Sequence, residues 1–226
     1  MIVASRLRTV LFDLDGTLLD TAPDLIWAVN SLRVEHGLPA LSHDIIRPTV
    51  SHGTPSMLKV AFGISPEHPD FLALRKRLLD LYQTHLVEET TLFHGMAEVL
   101  SILERLGMNW GVVTNKPAFL TDPIMAHLRL TERAAIVVSG DTIPFAKPHP
   151  APLLHACAAA GSFPRECVFV GDAERDIAAG RAAGMATLVA LFGYLAVDDR
   201  PHEWGADAMV ESPATMLAWI LSVQKE

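Results

Sequence analysis

Six short runs rich in β-branched residues punctuate this chain, at Thr9–Phe12, Trp110–Val113, Ile136–Ser139, Cys167–Val170, Thr187–Leu191 and Ala208–Val210, and each reads as a strand. What separates most of them constrains the fold more than the runs themselves. Helical patterns occupy Gly95–Leu106, Ala118–Leu128, Pro150–Ala160 and Ile177–Ala183. Strands that alternate with helices pair in parallel, with the crossover helices covering both faces of the sheet. The expected class is α/β, with a Rossmann-like parallel sheet as its core.

One interval breaks the alternation. Between the first strand and Leu92 only helical segments are found, so the expected organisation is a core of residues 1–18 and 90–226 with a helical cap at 19–89. Asp20-Thr21-Ala22-Pro23 announces the first helix of the insertion, a capping side chain followed by an early proline, and the helix is expected to run to about His36. The last helix, Asp70 to about Glu88, sets Phe71, Leu74, Leu78 and Leu81 on one stripe with Arg75, Lys76 and Asp80 off it. An insertion placed directly after the first strand of a parallel sheet emerges at the carboxyl ends of the strands, where α/β proteins bind ligands. A lid over an active site is therefore expected.

Charge and composition remove several classes of function. Eighteen Lys and Arg against 26 Asp and Glu give a net charge of −8, which excludes the summed positive field of a nucleic-acid binder. The apolar charge-free stretch Ala182–Val197 is interrupted by Gly184, Thr187 and Gly193 and falls short of the ~18 apolar residues of a membrane span. The apolar run after Arg6 and Arg8 stops at Asp13, too soon for a signal-peptide core. Cys157 and Cys167 form no Cys-x-x-Cys and read as packing residues of a reducing compartment. A cytoplasmic protein is expected, a monomer or homodimer without nucleic-acid or membrane partners.

Chemistry concentrates at the strand ends. Asp13-Leu14-Asp15-Gly16-Thr17 closes the first strand, where the two-residue period starts Asp13 and Asp15 on one side and turns Leu14 inward. Two converging carboxylates need a cation or a shared proton, and a hard oxygen-binding ion such as Mg²⁺ fits. Thr114-Asn115-Lys116 ends the second strand with donors suited to a phosphoryl oxygen, and Lys147-Pro148 follows the third with a point charge. Asp172 and Asp176 follow the fourth, four residues apart at the start of a helical pattern. Nucleophilic carboxylate, hydroxyl donor, lysine and metal-holding acids in this order describe phosphoryl transfer by positioning and charge stabilisation.

With these four motifs the chain resembles the haloacid dehalogenase superfamily of phosphatases. Asp15-Gly16-Thr17-Leu18-Leu19-Asp20-Thr21 resembles its phosphoglycolate phosphatase group. Trp110-Gly111-Val112-Val113-Thr114-Asn115-Lys116-Pro117, Gly193-Tyr194 and Trp204-Gly205-Ala206-Asp207 are most similar to bacterial N-acetylmuramic acid 6-phosphate phosphatases. The resemblance implies Asp13 as nucleophile, forming an aspartyl phosphate, and Asp15 as the acid that protonates the leaving oxygen and then activates water. It implies Mg²⁺ held by the Asp13 side chain, the Asp15 carbonyl and Asp172, with Asp176 acting indirectly, and phosphoryl oxygens held by Thr114, Asn115 and Lys147. Ala173 departs from the pattern, since relatives often carry a hydroxyl or acidic residue there. The implied substrate is a small phosphorylated acid or sugar, N-acetylmuramic acid 6-phosphate or, as the alternative, 2-phosphoglycolate. Both carry a carboxylate besides the phosphate, and the segment Arg47–Gly53 is expected to read it, through Arg47, His52 and the close backbone approach that Gly53 permits.

Other residues receive plainer readings. Asp20 is expected to cap a helix, Trp204 to pack, and Glu174 and Arg175 to pair on the surface; no histidine shows a metal-binding spacing. Among rival functions, a phosphomutase would return the phosphoryl group to substrate, and Thr17-Leu18-Leu19-Asp20 resembles the phosphatase branch instead. A dehalogenase needs no acid at Asp15. A phosphoacceptor signalling module needs neither that acid nor a lid.

Overall fold

The computed structural model describes residues 7–224. Six parallel strands form the main sheet in the order β5-β4-β1-β6-β7-β8: β1 (Thr9–Phe12), β4 (Asn109–Val113), β5 (Ile136–Val138), β6 (Cys167–Gly171), β7 (Ala186–Ala190) and β8 (Ala208–Val210). Each is one of the expected runs: β1 and β8 match to the residue, and the other four differ by one residue at one or both ends. Helices α5 (Met96–Arg105), α6 (Ala118–His127), α7 (Ala151–Ala159), α8 (Glu174–Ala183) and α9 (Pro213–Ser222) complete this part of the chain. β1 lies at the centre, with β4 on one side and β6 on the other, so the order reverses beside it. Val10, Leu11 and Phe12 are fully buried, as a strand covered on both faces requires.

The interval without strand signals is helical: α1 (Ala22–Glu35), α2 (His43–Ile46), α3 (Gly53–Phe62) and α4 (Phe71–Thr84). It is framed by an antiparallel pair that the sequence did not reveal, β2 (Leu19–Asp20) with β3 (Thr91–Leu92). Strands of two residues carry no readable period. The apolar stripe of α4 behaves as expected, with Phe71, Leu78 and Leu81 buried and Leu74 packed against them, but the helix stops at Thr84. One apolar cluster continues from Val10 and Phe12 of the sheet through Leu18 into Ile26, Leu58 and Leu78, so the insertion shares its apolar core with the sheet layer.

A buried carboxylate closes the base of the insertion. Asp24 of α1 accepts hydrogen bonds from the backbone N–H of Glu89 and Thr90 and from the Thr90 hydroxyl, tying entry to exit. Bonds to a charged group of this kind contribute about 1.5–3 kcal/mol each. His85 Nε2 lies 3.6 Å from Asp24 Oδ1, and Asp24, His85 and Glu89 have ligand atoms within 4.8 Å of one another, a proximity no sequence spacing foretold. Asp20, by contrast, caps nothing. Thr21 occupies the N-cap position of α1, and the Asp20 carboxylate faces Arg47 and Tyr194.

Candidate active site

At the carboxyl end of β1 the Asp13 N–H still bonds to the Val170 carbonyl in strand register, and the chain then turns sharply, with Leu18 and Leu19 N–H returning to the Leu14 carbonyl. Leu14 is fully buried while Asp13 and Asp15 both line a cavity of about 300 Å³ between sheet and insertion. The turn depends on Gly16, at φ +80°, where a Cβ would stand 2.1 Å from Asp172 Oδ2. Gly193 clears the other flank, since a Cβ there would approach the same oxygen to 2.6 Å. Room for the Asp172 carboxylate is thus built from two residues without side chains.

Three buried acids meet below the cavity. Asp13, Asp172 and Asp176 place carboxylate oxygens within 4.8 Å of one another. Lys147 answers them from the loop after β5, fully buried, with Nζ 2.9 Å from Asp13, 2.8 Å from Asp176 and donating to the Val113 carbonyl at 2.8 Å. Burial works against ionisation of Asp13, yet Lys147, then Arg175 and the Leu14 N–H, hold its carboxyl below the usual range. Asp176 is driven the other way, burial and the Asp13 charge outweighing Lys147. Among the described residues no cationic side chain pairs with Asp172; burial, Asp13 and Asp176 push it up to about 7. Its oxygens accept from the Tyr194 N–H (2.8 Å), the Ser51 hydroxyl (2.5 Å) and the Thr17 hydroxyl (3.3 Å).

An all-oxygen set of three crowded carboxylates, one of them short of positive charge, fits a hard divalent cation such as Mg²⁺. Asp13 and Asp172 are the two best placed to hold it. Asp176 is engaged on both oxygens, by Lys147 and by the Ala173 N–H at the start of α8.

Several expected residues have duties that the sequence did not show. Thr114, Asn115, His52 and Gly53 all line the cavity. The Asn115 side chain, however, is spent on the Lys147 backbone, donating to its carbonyl and accepting from its N–H, each at 2.9 Å. It positions the lysine, with one of its two amide N–H groups committed to that carbonyl. His52 meets Asp199 at 3.1 Å. Arg47 does not face the cavity: its guanidinium forks onto Asp20 at 3.0 and 2.9 Å and lies 4.8 Å from the Tyr194 ring centre. The expected reader of a substrate carboxylate already has a carboxylate of its own.

Two cations and one phenol at the site were missed. Lys116, which the sequence offered only for its backbone, is buried with Nζ 2.8 Å from Asp15 Oδ1 and 2.7 Å from the Tyr82 hydroxyl of α4. Asp15 also accepts from the Thr21 hydroxyl at 2.5 Å. Arg175 forms no surface pair with Glu174. It turns into the cavity with Nη2 3.9 Å from Asp13 Oδ2, and the charges of Asp176, Asp13, Asp172 and Asp15 raise its pKa despite burial. Tyr82 is kept a neutral phenol by burial, then by Asp15 and Asp24. The signal for Arg175 was its place in the first turn of a helix that starts beside Asp172. Trp204, Cys157 and Cys167 pack, as expected.

The profile of the haloacid dehalogenase-like hydrolases matches residues 10–190. The chain is 45% identical to the N-acetylmuramic acid 6-phosphate phosphatase of Pseudomonas putida over 92% of its own length and 93% of that protein. It is 46% identical to a phosphoglycolate phosphatase of Xanthomonas campestris pv. campestris, over 91% and 93% of the two chains. Among solved structures, a predicted phosphoglycolate phosphatase from Haemophilus somnus superposes with a TM-score of 0.82 at 26% identity, covering 96% of this chain and 99% of that one. Among the described residues no helix is long and apolar enough to cross a membrane.

Proposed function

This chain belongs to the haloacid dehalogenase-like hydrolase family, and on that premise we propose that it is a Mg²⁺-dependent phosphomonoesterase acting through an aspartyl phosphate on N-acetylmuramic acid 6-phosphate. The observation that carries the chemistry is the charge arrangement around Asp13. It is a buried carboxylate kept ionised by Lys147 and Arg175 at a cavity floor, with a second carboxylate two residues on that is held by a different lysine. Such pairing separates the roles of two acids that would otherwise share a proton.

In this reading an Asp13 oxygen attacks phosphorus, the bond to the sugar oxygen breaks, and Asp15 delivers a proton to the leaving oxygen. Asp15 then takes a proton from the water that cleaves the aspartyl phosphate, regaining what it donated. Lys116 and Thr21 hold Asp15 in place through both steps. Arg175 and the Thr114 hydroxyl, both on the cavity wall, receive the phosphoryl oxygens. Phosphatases of this family generally use Mg²⁺, which Asp13 and Asp172 would hold, and the ion supplies charge neutralisation at the transferring group. The insertion acts as a cap that excludes water, joined to the sheet side by Ser51–Asp172, His52–Asp199 and Lys116–Tyr82.

Relatives of both names stand at 45–46% identity, so what favours the muramic substrate over 2-phosphoglycolate is a cavity of about 300 Å³, at the lower bound of the ~300–1,000 Å³ that drug-sized ligands occupy. A two-carbon acid would leave much of it unfilled. The two buried free thiols suit the reducing cytoplasm, where this phosphate would be met.

The test is turnover of N-acetylmuramic acid 6-phosphate, N-acetylglucosamine 6-phosphate and 2-phosphoglycolate with Mg²⁺ and with excess chelator, beside Asp13→Asn. The muramic substrate is expected to lead, chelation to remove activity, and Asp13→Asn to lose roughly a thousandfold or more while its circular dichroism stays that of the parent. Residual Asp13→Asn turnover within tenfold of the parent rejects the nucleophile. A large lead for 2-phosphoglycolate rejects the substrate and keeps the mechanism.

A further inference from the structure

We propose that Arg75, with Thr54 beside it, is the subsite that reads the carboxylate of the substrate, the task that the sequence suggested for Arg47. The inference rests on the substrate reading above and deepens it. Helix α4 carries two useful stripes, the buried one that packs the insertion together and a second formed by Arg75, Leu79 and Tyr82 at spacings of four and three residues. All three of these line the cavity, and the spacing places them on one helix face.

The cations that line the cavity differ in what already occupies them. Lys116 is committed to Asp15 and Tyr82, and Arg175 stands beside Asp13, where a phosphoryl group would transfer. Arg75 alone has no carboxylate: among the described residues its one polar contact is from Nε to the Thr54 hydroxyl at 3.3 Å, so both terminal nitrogens are uncommitted. A guanidinium fork mounted on a helix, with a hydroxyl next to it, matches a carboxylate through two parallel hydrogen bonds. Around it the insertion contributes Val50, Met57 and Leu79, apolar surface suited to the methyl and ring carbons of a lactyl sugar. Arg47 cannot compete for the role while it holds Asp20.

Arg75 is exposed at the cavity rim, so its pairing is weakened by solvent and the expected effect is about tenfold. In Arg75→Gln, kcat/KM on the phosphorylated acid that the parent prefers should fall by about that factor, chiefly through KM. The fall should be several-fold smaller on N-acetylglucosamine 6-phosphate and on an aryl phosphate, which lack the carboxylate. Arg75→Lys should recover part of the loss, since it restores the charge but not the fork. With aryl phosphate as substrate, free N-acetylmuramic acid should inhibit the parent more strongly than N-acetylglucosamine does, and Arg75→Gln should remove that difference. A parent that favours neither acid over N-acetylglucosamine 6-phosphate overturns the substrate reading and this subsite together. A parent that favours an acid, with an Arg75→Gln that keeps the preference or loses equally on all substrates, overturns the subsite alone.

Discussion

The two walls of the cavity are built on opposite principles. On the sheet side the acids that line it each face a basic side chain inside the protein: Asp13 has Lys147 and Arg175, and Asp15 has Lys116. On the insertion side the wall is Val50, Met57 and Leu79, interrupted by Ser51, His52, Thr54 and an arginine with no acid to hold. Dipoles and charges fixed in advance cost nothing to reorganise during reaction, which is what a transferring phosphoryl group requires of its surroundings. A wall of apolar contacts plus one uncommitted cation can change its preference through single substitutions, with the reacting centre left alone. On the function proposed above, chemistry belongs to the sheet ends and selectivity to the insertion.

The Lys116–Tyr82 bond joins the two walls and gives the sharpest way to break that assignment. If Lys116 serves the chemistry by holding Asp15, Lys116→Met should lower single-turnover cleavage of a sugar phosphate by about 10–100-fold, the worth of a buried charge-assisted contact. The loss should be smaller with an aryl phosphate, whose leaving group departs with little protonation. Tyr82→Phe keeps the ring and removes the acceptor, so a loss of only a few-fold is expected on both substrates. Equal losses on alkyl and aryl phosphates in Lys116→Met would move Lys116 from proton transfer to phosphate binding, and the division of labour would fail at its seam.

What could be read from the sequence follows the same division. Asp13, Asp15, Lys147, Asp172 and Asp176 were legible because each follows a strand, and strand ends in a parallel sheet share one edge whatever the loops do. Their partners were not. Lys116 sits two residues past Thr114 in a turn whose direction only the fold decides, and Arg175 has its orientation set by the start of α8 beside Asp172. In the insertion the chemistry expected of Arg47 was plausible, yet Asp20, 27 residues away, captures it across a distance no local pattern encodes. Arg75 did carry a signal, in the 75, 79, 82 spacing, but the stronger apolar stripe of α4 hid it. The β2–β3 pair was invisible because two residues cannot show alternation.

Asp172 lies where the pairing of the sheet-side wall is incomplete, which makes pH a finer probe. Its folded pKa of about 7 is above the ordinary 3.8, raised by burial, Asp13 and Asp176. A group raised on folding stabilises the protein fully below its unfolded value, and that stability is lost as pH rises through the folded value. Without divalent ions, the melting temperature of the parent relative to Asp172→Asn should therefore decline between about pH 4 and pH 7. Mg²⁺ held by Asp172 would bind its ionised form, so the stabilisation it brings should grow across the same interval. A parent-minus-variant difference that is flat with pH would show that Asp172 is not the acid left short of positive charge.

The smallest effect is expected at Arg47, and it bears on the other wall. Its pair with Asp20 is bidentate but about a third exposed, with side chains 37% and 25% accessible, so solvent screens it, and the stacking on Tyr194 adds a comparable amount. Arg47→Ala should cost about 1 kcal/mol of stability, a fall of ~2–4 °C in melting temperature for a chain of this size. Because Asp20 adjoins Thr21, which bonds Asp15, some activity should be lost as well. That loss should be the same factor on N-acetylmuramic acid 6-phosphate and N-acetylglucosamine 6-phosphate, since a shifted Asp15 serves both alike. A loss confined to the muramic substrate would mean that Arg47 leaves Asp20 when substrate enters, and the carboxylate reader would pass from α4 back to the segment at 47–53.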